Sequence, residues 1–226
     1  MQIAVGSIFR NSTGHIQRYA DQVNALRAAA PQHTFRPVLV EGDSSDDSWG
    51  KLNDLFPGCV AKREHGGPVF GSVDSPQRYR QFSFCYEGVL ERLTPEDDIF
   101  LYVEGDLLWD AKTILELIQN LDKPGVDMVA PFCFYQNRNY DVWAFRAPNG
   151  DLLGFYPPYH VSMLEDPVNE LYPLSAAGSC IAMKGEVARR AHFVPDDFCI
   201  VAFCWNARKL GYSLWLNPAL RVHHPE

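Results

Sequence analysis

The sequence lacks several features that mark common classes of protein. It has no apolar run near the roughly 20 residues that a membrane-spanning helix needs. Its start, Met1 to Gly6, has neither the basic residues nor the long apolar stretch of a signal peptide. No two of its six cysteines have C-x-x-C spacing, so a zinc or iron–sulfur site is not expected. These absences predict a soluble protein of the reducing cytoplasm, with cysteines that serve as small buried side chains.

Basic charge is also scarce in this chain. Lysine and arginine total 20 against 28 acidic residues, for a net charge of −8. Phosphate-mediated binding to a nucleic acid duplex is therefore not favoured. An acidic protein that binds an anionic nucleotide needs a metal ion or a few well-placed arginines. The length of 226 residues and the hydrophobic content of 46% predict one domain over residues 1–226 with an ordinary core.

The beginning of the chain follows a strand–helix–strand order. Gln2 to Ile8 is a short apolar run that predicts a buried strand. Ile16 to Ala30 has helical spacing, and Phe35 to Val40 predicts a second strand. A β-α-β opening implies parallel strands with ligand-binding loops at their C-terminal ends. We therefore expect an α/β fold with a mostly parallel central sheet and helices on both faces.

The rest of the chain continues this alternation with one long interruption. Tyr135 to Pro173 is irregular, aromatic and rich in proline, and it is longer than a plain connection, which is typical of a lid or an acceptor-binding loop. Further strands are predicted at Asp98–Val103, Val126–Phe134, Ser179–Met183, Ser213–Leu216 and Leu220–Val222. Further helices are predicted at Pro76–Leu93, Ala111–Leu121, Gly185–Ala191 and Phe198–Leu210, and Pro57–Pro76 is predicted to be a loop.

Two carboxylates follow the most apolar predicted strand. Glu104 and Asp106 are separated by Gly105 and emerge where that strand ends. An extended chain places residues i and i+2 on the same side. Paired carboxylates can hold a hard divalent cation, which shares its oxygen ligands with substrate phosphates. The alternative is that these acids only end the strand.

Three other groups of residues are candidates for chemistry. Glu41, Asp43 and Asp46 follow the second strand, where a carboxylate can accept hydrogen bonds from a base or a ribose; the alternative is a turn or a helix cap. Asp196-Asp197 precedes a helix and can supply a general base or an N-cap. Either imidazole of His223-His224 can bind a metal or lie on the surface.

The order of these groups along nearly the whole chain resembles that of GT-A-fold glycosyltransferases, especially family-two-like enzymes and fungal-type mannosyltransferases. The similarity rests on the following residues in this order: Arg10-Asn11, the Glu41–Ser48 loop, Glu104-Gly105-Asp106, Gly178 before a strand, Asp196-Asp197 before a helix ending at Gly211-Tyr212, and a late His223. Glu104 stands where the family's D-x-D motif has its first aspartate.

The resemblance implies a role for each matching residue. Asp106 would bind the metal, Mn²⁺ or Mg²⁺, that bridges the donor's diphosphate, and His223 would be a further metal ligand. Glu104 would contact the ribose or the metal. Asp196 or Asp197, with Asp197 preferred, would be the catalytic base of an inverting enzyme. Residues that would contact the donor nucleotide are Arg10, Glu41, Asp43, Asp46, Arg78 and Arg80.

The function implied is metal-dependent transfer of a sugar from a UDP- or GDP-sugar to a hydroxyl acceptor. The resemblance leaves the acceptor open among glycans, lipids, proteins and modified nucleobases. One alternative is a non-catalytic module of the same fold that binds nucleotide-sugars. Another is a nucleotidyltransferase, which usually has a glycine-rich phosphate loop after the first strand. Here that stretch, Gly6 to Ser12, contains a single glycine.

Overall fold

The computed structural model describes residues 1–71, 73–136, 138–153, 168–195 and 198–225. The strands are β1 (Gln2–Phe9), β2 (Thr34–Glu41), β3 (Val60–Lys62), β4 (Ile99–Val103), β5 (Met128–Tyr135), β6 (Arg138–Asn139), β7 (Tyr172–Pro173), β8 (Cys180–Lys184) and β9 (Leu214–His223). The helices are α1 (Ile16–Ala29), α2 (Ser48–Leu55), α3 (Pro76–Leu90), α4 (Ala111–Gln119), α5 (Gly185–Arg190) and α6 (Cys199–Lys209), with a 3₁₀ turn at Asn120–Asp122.

All of these strands belong to one nine-stranded sheet. Its order is β3-β2-β1-β4-β8-β5-β9-β7, and β6 pairs with β5 outside this path. β3, β2, β1 and β4 are mutually parallel, and β5 is parallel to β9. β8 lies antiparallel between β4 and β5, and β7 is antiparallel to β9. The predicted α/β fold with a mostly parallel sheet is therefore confirmed.

Alternating side chains of the central strand explain why helices cover both faces of the sheet. On β4, Leu101 and Val103 join a buried cluster that includes residues of α1, α2 and α4. Phe100 and Tyr102, which alternate with them along the strand, belong to a second buried cluster that includes residues of α3, α5 and α6. The sequence of a strand that is covered on both faces is continuously apolar, and all five residues of β4 are buried.

Several predicted elements differ from the structure, and the stretch Tyr135–Pro173, predicted to be irregular, contains the short strands β6 and β7. The two final strands, Ser213–Leu216 and Leu220–Val222, form the single strand β9, whose pairing with β5 shifts register between Pro131 and Phe132. Pro218, which has no N–H, lies in the irregular part of β9 and is accommodated there because a bulge needs no ladder bond. The predicted loop at Pro57–Pro76 contains the short strand β3.

No helix in the described part of the chain combines the length and the apolar character needed to cross a bilayer.

An ion pair anchors the start of β4 to the neighbouring strands. The side chain of Asp97 is fully buried and receives a two-pronged contact from Arg36. The backbone N–H of Thr94 donates to the same carboxylate at 2.7 Å, and the Gln2 amide donates at 2.9 Å. Burial alone would raise the pKa of Asp97, but these hydrogen bonds and the charge of Arg36 hold it below its ordinary value.

We expect Asp97→Asn to lower the free energy of unfolding by roughly 2 to 3 kcal/mol at pH 7, because it leaves Arg36 without its counter-charge. A lowered folded-state pKa stabilises the protein above the unfolded-state pKa of about 4 and loses that effect as the pH falls through the folded value. The difference between wild type and variant in urea titrations should therefore shrink below pH 4. Asp54→Asn, at an exposed site, is the control. If Asp97→Asn is as stable as the wild type at pH 7, the ion pair between Asp97 and Arg36 does not stabilise the fold.

Candidate active site

The C-terminal ends of the parallel strands bring the predicted acidic groups to one edge of the sheet. β1 ends before Arg10, β2 before the loop that starts at Gly42, and β4 before Glu104. The start of β8 lies beside the end of β4, since Cys180 pairs with Val103. Groups that are far apart in sequence therefore meet where open α/β sheets bind their ligands.

Gly105 allows the acid-x-acid segment to pack closely against the first strand. A Cβ atom at this position would lie 2.4 Å from the ring of Phe9, so any larger residue would push the segment away from β1. The backbone N–H of Glu104 donates to Ser179 at 2.9 Å and fixes the segment on its other side. These two contacts fix the segment, so the carboxylates of Glu104 and Asp106 both lie at the edge of the sheet.

Glu104, Asp106 and His224 form a cluster that could hold a metal ion. One potential ligand atom from each lies within 4.8 Å of the other two. The His224 Nε2 atom is 3.3 Å from the Asp106 carboxylate. Two carboxylate oxygens and one imidazole nitrogen suit Mn²⁺ or Mg²⁺, although Mg²⁺ prefers oxygen ligands alone. The donor set therefore fits a divalent cation.

The histidine that lies beside the two carboxylates is His224 rather than the predicted His223. Leu108 and His223 exchange backbone hydrogen bonds of 2.7 and 2.8 Å, and the His224 N–H donates to Phe134. These contacts bring the end of β9 to the acid-x-acid segment. Successive side chains of an extended chain point in opposite directions, so His223 is exposed while His224 reaches Asp106.

The two carboxylates have opposite pKa shifts. Burial raises the pKa of Glu104 to about 8, and the charges of Asp106 and Asp141 add to this effect. Burial would also raise the pKa of Asp106, but the hydrogen bond and charge of His224 and the charge of His15 lower it. Burial alone would lower the pKa of His224, yet its contact with Asp106 raises it. Asp106 and His224 thus stabilise each other in their charged forms.

Tyr140 covers the histidine. Its ring stacks on that of His224 with 3.9 Å between centroids and 17° between planes. Asp141 follows it, and its carboxylate accepts a hydrogen bond from the Ser179 hydroxyl at 2.7 Å. Burial raises the pKa of Asp141. The irregular stretch after β5 therefore contributes to the site at residues that the sequence patterns did not single out.

A first cavity of 430 Å³ lies on the side of the cluster toward β1 and α1. The cluster itself lines it, together with Arg10, His15, Gly42, His65 and Arg78. The volume lies in the usual range for a small-molecule site. This cavity is the candidate nucleotide site.

Glu41, Asp43 and Asp46, which were predicted to contact the nucleotide, do not line the first cavity. Glu41 is buried and accepts from the Ser44 N–H at 2.6 Å. Asp43 accepts from the backbone N–H groups of His65 and Gly66, each at 2.7 Å. Both carboxylates therefore accept hydrogen bonds from the backbone of this chain. His65, whose N–H donates to Asp43, lines the first cavity.

Asp46 likewise has partners within the chain. It accepts from the backbone and hydroxyl of Thr13, at 3.2 and 2.9 Å, and from those of Ser48, at 3.0 and 2.6 Å. Ser48 is the first residue of α2 and Asp47 is its N-cap, without a side-chain cap bond, so Asp46 belongs to the turn that precedes the helix.

The three predicted arginines lie in different surroundings. Arg10 lines the first cavity and donates to the carbonyls of Gly67 and Pro68 at 2.7 and 2.9 Å. Arg78 lines both the first cavity and its neighbour, with its guanidinium 4.8 Å from the centre of the Phe82 ring. Arg80 is exposed and lines neither of these two cavities. The placement favours Arg78 over Arg80 for contact with a ligand.

A second cavity of 730 Å³ adjoins the first. The two share the walls formed by Arg78, Phe82, Tyr86, Glu104 and Tyr140. The remaining walls of the second cavity include Trp143, Arg146 and Phe198. A ligand that spans both cavities would therefore pass directly over Glu104.

The predicted base residues Asp196 and Asp197 lie outside the described residues. Phe198 and Cys199, which follow them, line the second cavity. The site residues that the sequence patterns missed are His15, His65, Tyr140, Asp141, Arg146 and Ser179. Only Ser179 had a signal in the sequence, since it follows Gly178 at the start of a predicted strand.

Comparisons with known proteins bear on the fold of the chain. No protein-family model and no curated protein sequence matches the chain. Among solved structures, it is similar to a mannosyltransferase from Pyrobaculum calidifontis in complex with GDP-Man and Mn²⁺, with a TM-score of 0.63 and 15% identity over 98% of this chain. It is also similar to glucosyl-3-phosphoglycerate synthase from Mycobacterium tuberculosis in complex with Mg²⁺ and UDP, with a TM-score of 0.59 and 16% identity over the whole chain.

A third similar structure is that of GalNAc-T7 with UDP, GalNAc and Mn²⁺, which has a TM-score of 0.65 and 14% identity over 99% of this chain. The chain spans 56% of the mannosyltransferase, 72% of the synthase and 43% of GalNAc-T7. At such identities the likeness is one of fold, because function resides in site residues. The resemblance to GT-A-fold glycosyltransferases is confirmed at that level.

Proposed function

We propose that this protein transfers a sugar from a nucleoside-diphosphate sugar to a hydroxyl acceptor with the help of a divalent cation. The observation that supports this most is the Glu104, Asp106 and His224 cluster at the junction of two adjoining cavities. Sugar transfer needs a site for each of two substrates that meet at the reacting carbon. Structural neighbours that were crystallised with GDP-Man or UDP and a metal ion add support from the fold.

The cation would be held by Glu104, Asp106 and His224. When bound, it supplies positive charge that neutralises the nucleoside diphosphate leaving group. The chain's own contribution is to keep the two carboxylates and the imidazole within 4.8 Å of one another. Asp106 remains ionised at neutral pH, because His224 and His15 lower its pKa.

The first cavity would hold the nucleoside diphosphate. Its polar walls include His15 and Arg10, and His65 faces it from the loop held by Asp43. We therefore assign the contact with the nucleobase to His65. The carboxylates of Glu41, Asp43 and Asp46 would instead fix the loops around the first cavity by their hydrogen bonds within the chain. Arg78, which lines both cavities, would balance the negative charge of the donor's diphosphate.

The second cavity would hold the acceptor. Its walls offer the indole of Trp143, which is 68% exposed, and the ring of Phe198, and flat aromatic faces pack well against apolar faces of sugars. Asp196 or Asp197 would deprotonate the acceptor hydroxyl if the reaction inverts the anomeric carbon. Binding of two substrates in adjoining cavities would keep the reacting atoms close to each other.

Calorimetry with UDP and GDP tests the proposal. We expect at least one of them to bind in the presence of Mn²⁺ and to lose binding when a chelator is added, because the chain carries a net charge of −8. The corresponding UDP- or GDP-sugar should then be hydrolysed slowly without an acceptor. Failure of both nucleotides to bind with Mn²⁺ present would overturn the proposal.

The same assay separates the rival functions. A non-catalytic nucleotide-sugar module would bind the nucleotide with Mn²⁺ but leave the sugar donor intact. A nucleotidyltransferase would release pyrophosphate from a nucleoside triphosphate when a sugar phosphate is supplied. Neither alternative has an observation in the site that favours it over transfer.

A further inference from the structure

Arg146 is a cation in the second cavity that has no counter-charge among the described residues. It lines the cavity, it is partly buried, and its Nε atom is buried without a hydrogen-bond partner among the described residues. Other partly buried arginines of the chain have acceptors of their own. Arg36 contacts Asp97, and Arg18 donates to the Asp106 carbonyl at 2.5 Å. The Nε atoms of Arg10 and Arg18 are also buried without a partner, but the terminal nitrogens of those two side chains donate to backbone carbonyls. A buried guanidinium N–H without an acceptor is costly, so a side chain that makes no hydrogen bond to the described residues calls for a ligand.

The backbone holds Arg146 in a defined position. Its N–H donates to Ala176 at 2.9 Å, and its carbonyl accepts from Ser175 at 2.9 Å. The same strand-like segment pairs with Leu152 on its other side. The side chain therefore projects from a hydrogen-bonded backbone, as a binding residue does when its position is fixed before the ligand arrives.

The carboxylates that line the second cavity have other partners. Asp74 accepts from the Tyr79 hydroxyl at 2.9 Å, and Asp141 accepts from Ser179. Glu104 belongs to the candidate metal cluster. None of the ion pairs among the described residues joins one of these acids to Arg146.

We propose that the second cavity takes an acceptor that carries an anionic group, a phosphate or a carboxylate, and that Arg146 binds this group. The planar guanidinium presents paired N–H donors that match either anion. This assignment rests on the proposed function, because it names the class of acceptor for the same site. It makes Arg146 a determinant of acceptor choice, separate from the donor contacts in the first cavity.

Binding of simple anions tests the proposal without turnover. The full chain is titrated by calorimetry with inorganic phosphate and glycerol 3-phosphate, with a chelator present so that no metal can bind them. Glycerol is the neutral match. We expect both anions to bind the wild type and glycerol to give no signal at the same concentrations. Arg146→Gln should weaken anion binding at least tenfold. Arg146→Lys should retain part of the binding, since lysine keeps the positive charge but lacks the paired N–H donors of the guanidinium.

Arg208→Gln, an equal loss of charge at an exposed site of α6, should leave anion binding unchanged. Thermal melts of both glutamine variants show whether the fold is kept. Unchanged affinity in Arg146→Gln, equal binding of glycerol, or no anion binding to the wild type would each overturn the inference. Nucleotide binding with Mn²⁺ in the same samples tests the proposed function separately, and Arg146→Gln should leave it intact.

Discussion

Asp106→Asn should weaken Mn²⁺-dependent binding of UDP or GDP at least tenfold, which corresponds to about 1.4 kcal/mol. The transfer rate should fall further, on the order of a thousandfold, because charge stabilisation of a leaving group acts mostly in the transition state. The amide keeps the size of the side chain and one oxygen for His224 but removes the negative charge. Calorimetry and a donor-hydrolysis assay measure the two effects.

Asp110→Asn is a matched control for this substitution. Asp110 lies four residues further along the same β4–α4 connection, and it caps α4 by accepting from the Thr113 N–H at 2.9 Å. Asparagine caps a helix about as well as aspartate does, so the variant loses the same charge without losing the cap. We expect wild-type nucleotide affinity in Asp110→Asn. Full Mn²⁺-dependent binding in Asp106→Asn would exclude Asp106 from the metal site.

The fold was predictable from sequence where local pattern and burial agree. β4 is a run of five buried residues, and α1 shows the spacing of one apolar face, so both were predicted to within a residue or two. β9 was predicted as two strands because Pro218 interrupts its pattern. Only the pairing with β5 shows that the chain continues as one strand through a bulge.

The site was predictable as far as it depends on strand ends. The acid-x-acid segment follows a buried strand, and parallel strands deliver such segments to a common edge. The choice between His223 and His224 depends on the backbone pairing of Leu108 with His223, which joins segments that are far apart in sequence. Asp141 lies in a stretch without periodicity, so no local pattern could mark it. Burial of unpaired groups such as the Arg146 Nε atom is visible only in three dimensions.

Asp197→Asn is expected to bind the donor normally and to lose roughly a hundredfold or more in transfer rate, because a general base acts on the acceptor. The residues that follow the Asp196-Asp197 pair support its link to the acceptor, because Phe198 and Cys199 line the second cavity. Asparagine keeps the size of the side chain and removes only the carboxylate that can accept the proton, so the substitution isolates the loss of the base. Steady-state transfer rates and calorimetry with the donor provide the measurements.

Asp196→Asn and Asp141→Asn complete this comparison. Asp141 is the other candidate in the second cavity, but its carboxylate already accepts from Ser179, and burial raises its pKa. We therefore expect Asp141→Asn to lower transfer less than Asp197→Asn does. If the variants at 196 and 197 both keep near-full transfer and the product retains the anomeric configuration, neither residue is the base. The pair would then at most hold the acceptor hydroxyl, because retaining transfer requires no base at that position.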